Sequence, residues 1–279
     1  MKKTTLIRNI IVIVLIMIIN LTYSQKLEKI KGSKVVTLSE ITLDSITTIE
    51  LFKNIDLTLK KSDNVRFAIY GDDNLHDVVD LDLDEGKLSI SLLRRITSKK
   101  KFELTLYINT LSKIILNDDS TLITNDYFDA EELSIVLNNK SELIGLFDAD
   151  AIIYESNDIS KSEINFKAQT INYKLNDRSK IKGISNSEIT KINSLGKNMV
   201  TLTGKSDETY IIAAETSNLK LVNFISNVTE IKAEDKAIVY TFTKEDLSIY
   251  AKDASSIYIY GNSDIDLIEF KNSASIYKK

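Results

Sequence analysis

The 279-residue sequence has no cysteine, no proline and no tryptophan, a single histidine and eight glycines. Without cysteine there is no disulfide, no thiol nucleophile, no Cys-ligated metal and no N-terminal Cys to carry a lipid. With His76 alone, a multi-His metal site is excluded, and any His-based triad has to run through that one residue. The absence of proline excludes Pro-rich spacers. What remains is 43% hydrophobic and 27% charged, the balance of a folded globular chain. Its stability has to come from packing and backbone pairing.

Lys2, Lys3 and Arg8 precede an uninterrupted apolar run from Ile10 to Ile19, bracketed by Asn9 and Asn20. Ten residues are too few for a helix to span a bilayer. Thr22-Tyr23-Ser24 follows with small residues at the two positions a signal peptidase reads. Residues 1–24 are therefore expected to be a cleaved signal peptide, with Gln25 as the mature N-terminus. An uncleaved membrane anchor is the competing reading. Removing three basic residues takes the formal charge from −4 to −7, 33 basic against 40 acidic. Nucleic acid is a poor partner for such a chain. The location this implies is the periplasm, the outer membrane or the exterior, with membranes met only through export or peripheral association.

The sequence repeats. Ser120, Ser141, Ser162, Ser179, Asn198, Ser217, Lys236, Ser255 and Ala274 lie 21, 21, 17 and then five times 19 residues apart. Two residues after each stands a branched aliphatic: Leu122, Leu143, Ile164, Ile181, Val200, Leu219, Ile238, Ile257 and Ile276. Each unit reads as two short strands around a polar turn, as in Leu133–Leu137, Asn138–Ser141 and Leu143–Phe147. Asn and Asp at the turns tolerate left-handed backbone. No segment after residue 110 shows a long run at helical spacing. A two-strand unit cannot bury its apolar face alone, so the units must stack. The expectation is an all-β, single-domain parallel β-helix, or two-sheet β-solenoid, with coils of about 19 residues. Residues 111–279 form its repeats and residues 25–110 an N-terminal β cap continuous with them. Within the cap, Asp84-Glu85-Gly86-Lys87 reads as a hairpin turn.

The stretch Asp84-Glu-Gly-Lys-Leu-Ser-Ile90, the serine-centred repeats and the closing Ser255-Ser-Ile-Tyr-Ile-Tyr-Gly261 and Ser273–Lys279 resemble the auto-transporter adhesin head GIN domain family of exported Bacteroidetes-type proteins. The resemblance runs from about Ile49 to the end. It implies a β-helix superficially similar to pectin lyases, without a shared catalytic set, and a role in adhesion. Family turns are often Gly-Ser-Gly-like. Here Asn139-Lys140-Ser141, Asp177-Arg178-Ser179 and Asp253-Ala254-Ser255 stand instead, so turn-mediated contacts should differ.

Several residue sets could carry chemistry. In the repeat register Lys140, Lys161, Arg178 and Lys197 fall in one column, a stripe suited to acidic polysaccharide or lipid phosphate. The plainer reading, long side chains splaying on a solvated turn face, is the favoured one. Arg94, Arg95, Lys99, Lys100 and Lys101 form the densest basic cluster, read as a hairpin loop of the cap that is solvated or touches an anionic glycan or lipid. Tyr258 and Tyr277 share an outward column beside Tyr240, Tyr250 and Tyr260, and could face sugar rings or cover the end of the rod. Glu215, Glu234 and Asp253 suggest an acidic ladder, but the Gly-rich nonapeptides of calcium β-rolls are missing. The pairs Asp118/Asp119 and Asp148/Asp150 do not stack in the repeat, and His76 has no evident partner, so all read as ordinary surface. No catalytic, cofactor-binding or metal-binding residue is assigned. The resulting expectation is an exported, non-enzymatic adhesive or structural module whose partner is a surface glycan or an envelope protein. A polysaccharide-active lyase or hydrolase on the same scaffold, or a periplasmic protein-interaction module, are the alternatives.

Overall fold

The computed structural model describes residues 27–279. The expected signal peptide, residues 1–24, lies outside the described residues. Ten short strands come first: β1 (Lys29–Lys31), β2 (Val36–Thr42), β3 (Thr48–Leu51), β4 (Asp56–Lys61), β5 (Arg66–Asp72), β6 (Val79–Asp84), β7 (Lys87–Leu92), β8 (Arg95–Ser98), β9 (Phe102–Ile108) and β10 (Lys113–Leu116). Seven long runs follow: β11 (Thr121–Leu137), β12 (Glu142–Ser156), β13 (Lys161–Asp177), β14 (Lys180–Gly196), β15 (Met199–Ala213), β16 (Asn218–Ala233) and β17 (Ile238–Ala251). β18 (Ser256–Tyr260), β19 (Asp264–Phe270) and β20 (Ser275–Lys278) close the chain. From β10 onward every pairing is parallel and joins one coil to the next. The fold is the expected β-solenoid.

Inward and outward residues alternate along each run, as the period of a strand requires. Two interior columns result. One runs Leu104, Leu57, Leu122, Leu143, Ser162, Ile181, Val200, Leu219, Val239, Ile257 and Ile276. The other runs Leu88, Ile49, Ile114, Ile135, Tyr154, Tyr173, Ile192, Ile211, Ile231, Ile249 and Leu267. Fully burying each aliphatic side chain contributes about 1.5–3 kcal/mol.

The register departs from the repeat at two places. Glu142 pairs with Lys161, so Ser160 rather than Ser162 follows Ser141. Ser162 then occupies the apolar column in place of Ile164. The reason is the aromatic packing across the core, where Tyr154 lies 5.8 Å from both Phe166 and Tyr173. The buried Tyr154 hydroxyl donates to Ser162 Oγ at 2.9 Å, and a serine is both small enough and polar enough to receive it. The second departure is at Ala237, which takes the buried position assigned to Lys236, with Val239 inward instead of Ile238. Register shifts in β16 absorb the difference, making one coil longer and the next shorter. The paired short strands of each unit also fuse, since the second strand of one unit runs on as the first of the next.

The N-terminal strands begin the same two stacks and then stop them. β7 and β9 lie parallel on β3 and β4, extending the solenoid by a partial coil. Antiparallel strands then end each side: β6 on β7, joined by a Glu85-Gly86 turn with positive φ at both residues, and β5 on β9 with β2 beyond it. The free edge of β6 carries exposed Asp80, Asp82 and Asp84, which discourage further strand addition. At the other end of the described residues, Ile265, Leu267 and Phe270 of β19 continue the inward columns but are 44–49% exposed.

Burial pushes the Tyr154 phenol up to about 12 and raises that of Tyr173 as well. Unfolded phenols ionise near 10, so this stabilisation is complete below pH 10 and is lost as pH rises through the folded value. Tyr154→Phe leaves Ser162 Oγ buried without its donor and is expected to cost about 1–2 kcal/mol at neutral pH. It should also flatten the decline in urea midpoint between pH 10 and 12. An unchanged alkaline slope would contradict this account of the core.

Candidate functional site

The coils turn at one corner, where each four-residue turn exposes its middle. Asp118, Asn139, Asp158, Asp177, Gly196, Glu215, Asp235, Asp253 and Asn272 stand in register there, all with positive φ. The turn closes by a hydrogen bond from the buried anchor residue back to the carbonyl three residues before, as from Ser141 N to Asn138 O. The serine hydroxyls of Ser160, Ser217 and Ser255 repeat that bond at 2.8 Å. Small and buried is what this position requires, and Ala237 and Ala274 meet it without a hydroxyl.

At four turns the backbone N–H of the left-handed residue is met by a carboxylate of the next coil. Lys53 N donates to Asp118 Oδ2 at 3.1 Å, Asn139 N to Asp158 Oδ2 at 2.9 Å, Asp158 N to Asp177 Oδ2 at 3.1 Å and Glu215 N to Asp235 Oδ2 at 2.9 Å. One residue earlier, Asn138, Asn157 and Asn176 each donate a side-chain amide proton to the Asn one coil before, at 2.9, 3.0 and 2.8 Å. Leu195 ends this ladder, and the buried amide of Asn198 takes over by accepting from Ser179 and donating to Leu175 O and Leu195 O. The spacing of Asn117, Asn138, Asn157 and Asn176 matches the turn step, so the sequence did contain the ladder's signal.

Lys140, Arg178 and Lys197 emerge from this corner over a shallow depression of ≈ 770 Å³. Ile159 occupies the position between Lys140 and Arg178. Lys161 stands in a different column, between Glu142 and Lys180, so the four-cation stripe becomes three cations and an isoleucine. The acidic ladder also changes. Asp235, not Glu234, aligns with Glu215 and Asp253, while Glu234 pairs with Lys252 at 3.1 Å. These aspartates hold backbone N–H groups. Asp148 pairs with Lys167 at 2.7 Å, Asp150 accepts from Gln169, and His76 Nε2 lies 3.3 Å from Gly71 O. Tyr240, Tyr258 and Tyr277 stack at 4.6 and 4.8 Å, and Lys279 lies over the last two rings.

The basic cluster is not a single hairpin loop. Arg95 begins β8, which pairs parallel with β1 as a separate two-stranded ribbon. The ribbon is tied down by Asp72, which no side-chain pattern announces. Its buried carboxylate accepts backbone N–H bonds from Lys34, Lys100 and Lys101, each at 3.1 Å. Burial alone raises its pKa, but the bonds from Lys100, Lys101 and Lys34 outweigh it and hold the carboxyl below its ordinary 3.8. A Cβ at Gly32 would stand 2.0 Å from Asp72 Oδ2, so only glycine leaves the carboxylate its place. Arg94, Arg95 and Lys99 emerge beside the ribbon over a second depression, of ≈ 660 Å³, where it overhangs the first turn of the rod. Lys100 and Lys101 leave it, with Lys101 near Glu103 at 2.5 Å.

The family model described as "Putative auto-transporter adhesin, head GIN domain" matches residues 45–186. Among solved structures, a putative adhesin from Parabacteroides merdae aligns with a TM-score of 0.64 at 15% identity, covering 90% of this chain and 99% of its own. A putative adhesin from Parabacteroides distasonis aligns at 0.63 and 12% identity, over 90% and 100%. A protein of the same organism described as a putative lipid binding protein aligns at 0.55 and 12%, over 90% and 97%. At these identities the likeness shows the fold. No curated protein matches the chain.

A depressed carboxyl contributes stability that is present above its unfolded pKa and lost as pH falls through the folded one. The ribbon should therefore loosen below pH 3.8. In hydrogen exchange, residues 27–34 and 95–101 are expected to lose protection on acidification before the coils do. Asp72→Ala should produce the same local loss at neutral pH. Uniform loss along the whole chain would contradict the role given to Asp72.

Proposed function

The chain belongs to the putative auto-transporter adhesin, head GIN domain family, and from this we propose that it is an exported, non-enzymatic binding module of the cell envelope or surface. Its N-terminal basic and apolar segment supports export by a cleaved signal peptide. Among the described residues no helix is long and apolar enough to cross a membrane, a statement that does not bear on β-barrels.

The observation that carries the reading is the turn corner. Asp158, Asp177 and Glu215 line the same depression and balance its formal charge, with the Asp158 and Asp177 carboxylates turned to backbone N–H groups, while Lys140, Arg178 and Lys197 join no salt bridge among the described residues. Arg178 and Lys197 stand one coil apart, roughly 5 Å, and Lys140 two coils from Arg178, roughly 10 Å. A linear polyanion lying along the rod meets them in succession. The partner proposed is an acidic surface polysaccharide.

Mature protein is expected to bind immobilised polygalacturonate or heparin in a salt-sensitive manner, without releasing product. The triple change Lys140→Glu, Arg178→Glu, Lys197→Glu should weaken binding at least about tenfold, from about 0.5 kcal/mol per exposed ion pair. Protease shaving of native cells should cleave the protein from outside. Absence of binding at low salt, equal binding by the triple variant, or release of cleaved polysaccharide would each overturn the proposal.

A further inference from the structure

We propose that the depression between the β1–β8 ribbon and the first turn of the rod is a binding pocket for a monoanionic amphiphile, a molecule with a phosphodiester or carboxylate head and an apolar body. The inference stands apart from the polysaccharide reading, because it uses different residues at a different place.

The depression of ≈ 660 Å³ lies within the range of about 300–1,000 Å³ common for small-molecule sites. Its walls are of two kinds. Leu27, Leu92, Ile96 and Phe102 supply apolar surface that is buried or half-buried in the fold yet lines the opening. Lys53, Arg94, Arg95 and Lys99 bring four positive charges to the same space. Asp56 and Asp118 offset two of them, and Glu28, 3.4 Å from Arg94, offsets a third. One net positive charge remains, which suits a singly charged head. Arginine is the side chain best shaped for such a head, since its planar guanidinium meets two oxygens at once. Lys99 Nζ lies 5.4 Å from the centre of the Phe102 ring, so charge and apolar wall meet where the head and body of an amphiphile would join.

The pocket is formed before any ligand arrives. β8 reaches no strand of the main sheet and is held over the opening by its pairing with β1. Thr97 Oγ1 donates to Ile30 O at 3.0 Å and Gly32 N to Ser98 O at 2.8 Å, while Asp72 fixes Lys100 and Lys101 behind it. A preformed site orders little on binding, and that favours affinity.

Isothermal titration of the mature full chain with lauroyl lysophosphatidylglycerol, laurate, lauroyl lysophosphatidylcholine and glycerol phosphate, all below micellar concentration, tests the assignment. One-to-one binding of lysophosphatidylglycerol or laurate is expected, at least about tenfold tighter than of the zwitterionic lipid or of glycerol phosphate, the head without a tail. Whichever of the first two binds identifies the head as phosphodiester or carboxylate. Arg95→Glu and Lys99→Glu should each weaken binding about tenfold with melting temperature unchanged, and the turn-corner triple variant should bind as wild type. Equal affinity for the zwitterionic lipid, binding of neither anion, or indifference to Arg95→Glu overturns the proposal.

Discussion

A stack of parallel coils must satisfy its backbone at the corner as well as along its sides. Along the sides each strand meets the next in the same register, and the ladder takes care of itself. At the corner the chain turns through a left-handed residue whose N–H points along the stack with no strand to receive it. Asp118, Asp158, Asp177 and Asp235 solve this from one coil away, each carboxylate accepting the N–H of its neighbour's turn. The same short polar side chains tolerate positive φ, so a single residue type meets both demands. That is why this chain can build glycine-poor turns. Where glycine does appear, at Gly196, φ is +121 and an added Cβ would meet Asp177 O at 2.3 Å.

The corner rule also makes the two ends unequal. At the N-terminal end, antiparallel β6 and β5 close the two stacks, and Asp72 folds the β1–β8 ribbon across the outside. At the C-terminal end no antiparallel strand is paired onto the last coil among the described residues, and Tyr258, Tyr277 and the cation of Lys279 stack along its outer face. The charged groups follow the same division. Those on the turn corner repeat with the coil and form an extended surface, whereas those beside the ribbon converge on one depression.

Much of this was legible in the sequence. Ser120, Ser141, Ser179, Ser217 and Ser255 mark turns because the position is buried and tight, and the branched aliphatics two residues on mark the core. Ser162 misled because two serines, at 160 and 162, lie two apart and the aliphatic period pointed to Ile164. The deciding factor was a phenol from Tyr154 arriving from the opposite side of the core, which no local pattern encodes. Lys236 misled for another reason: bulges in β16 lengthen one coil and shorten the next, so the regular step crossed them unnoticed. The antiparallel pairing of β2, β5 and β9 in the cap joins residues 24 to 41 positions apart with no repeat to reveal it, as Val36 with Asp72 and Arg66 with Tyr107 illustrate. Asp72 was hidden because its partners are backbone amides.

The central claim is that neighbouring coils are parallel and in the register set by the turns, and the absence of native cysteine makes it directly testable. Paired residues in adjacent parallel strands lie about 4.8 Å apart, within disulfide range, while a partner displaced by two residues lies about 8 Å away and outside it. Oxidation of the double variant Glu142→Cys, Lys161→Cys is predicted to give an intramolecular disulfide, and that of Glu142→Cys, Glu163→Cys to give none. A disulfide in the second variant and not in the first would contradict the register, and with it the columns, the corner and the sites built on them.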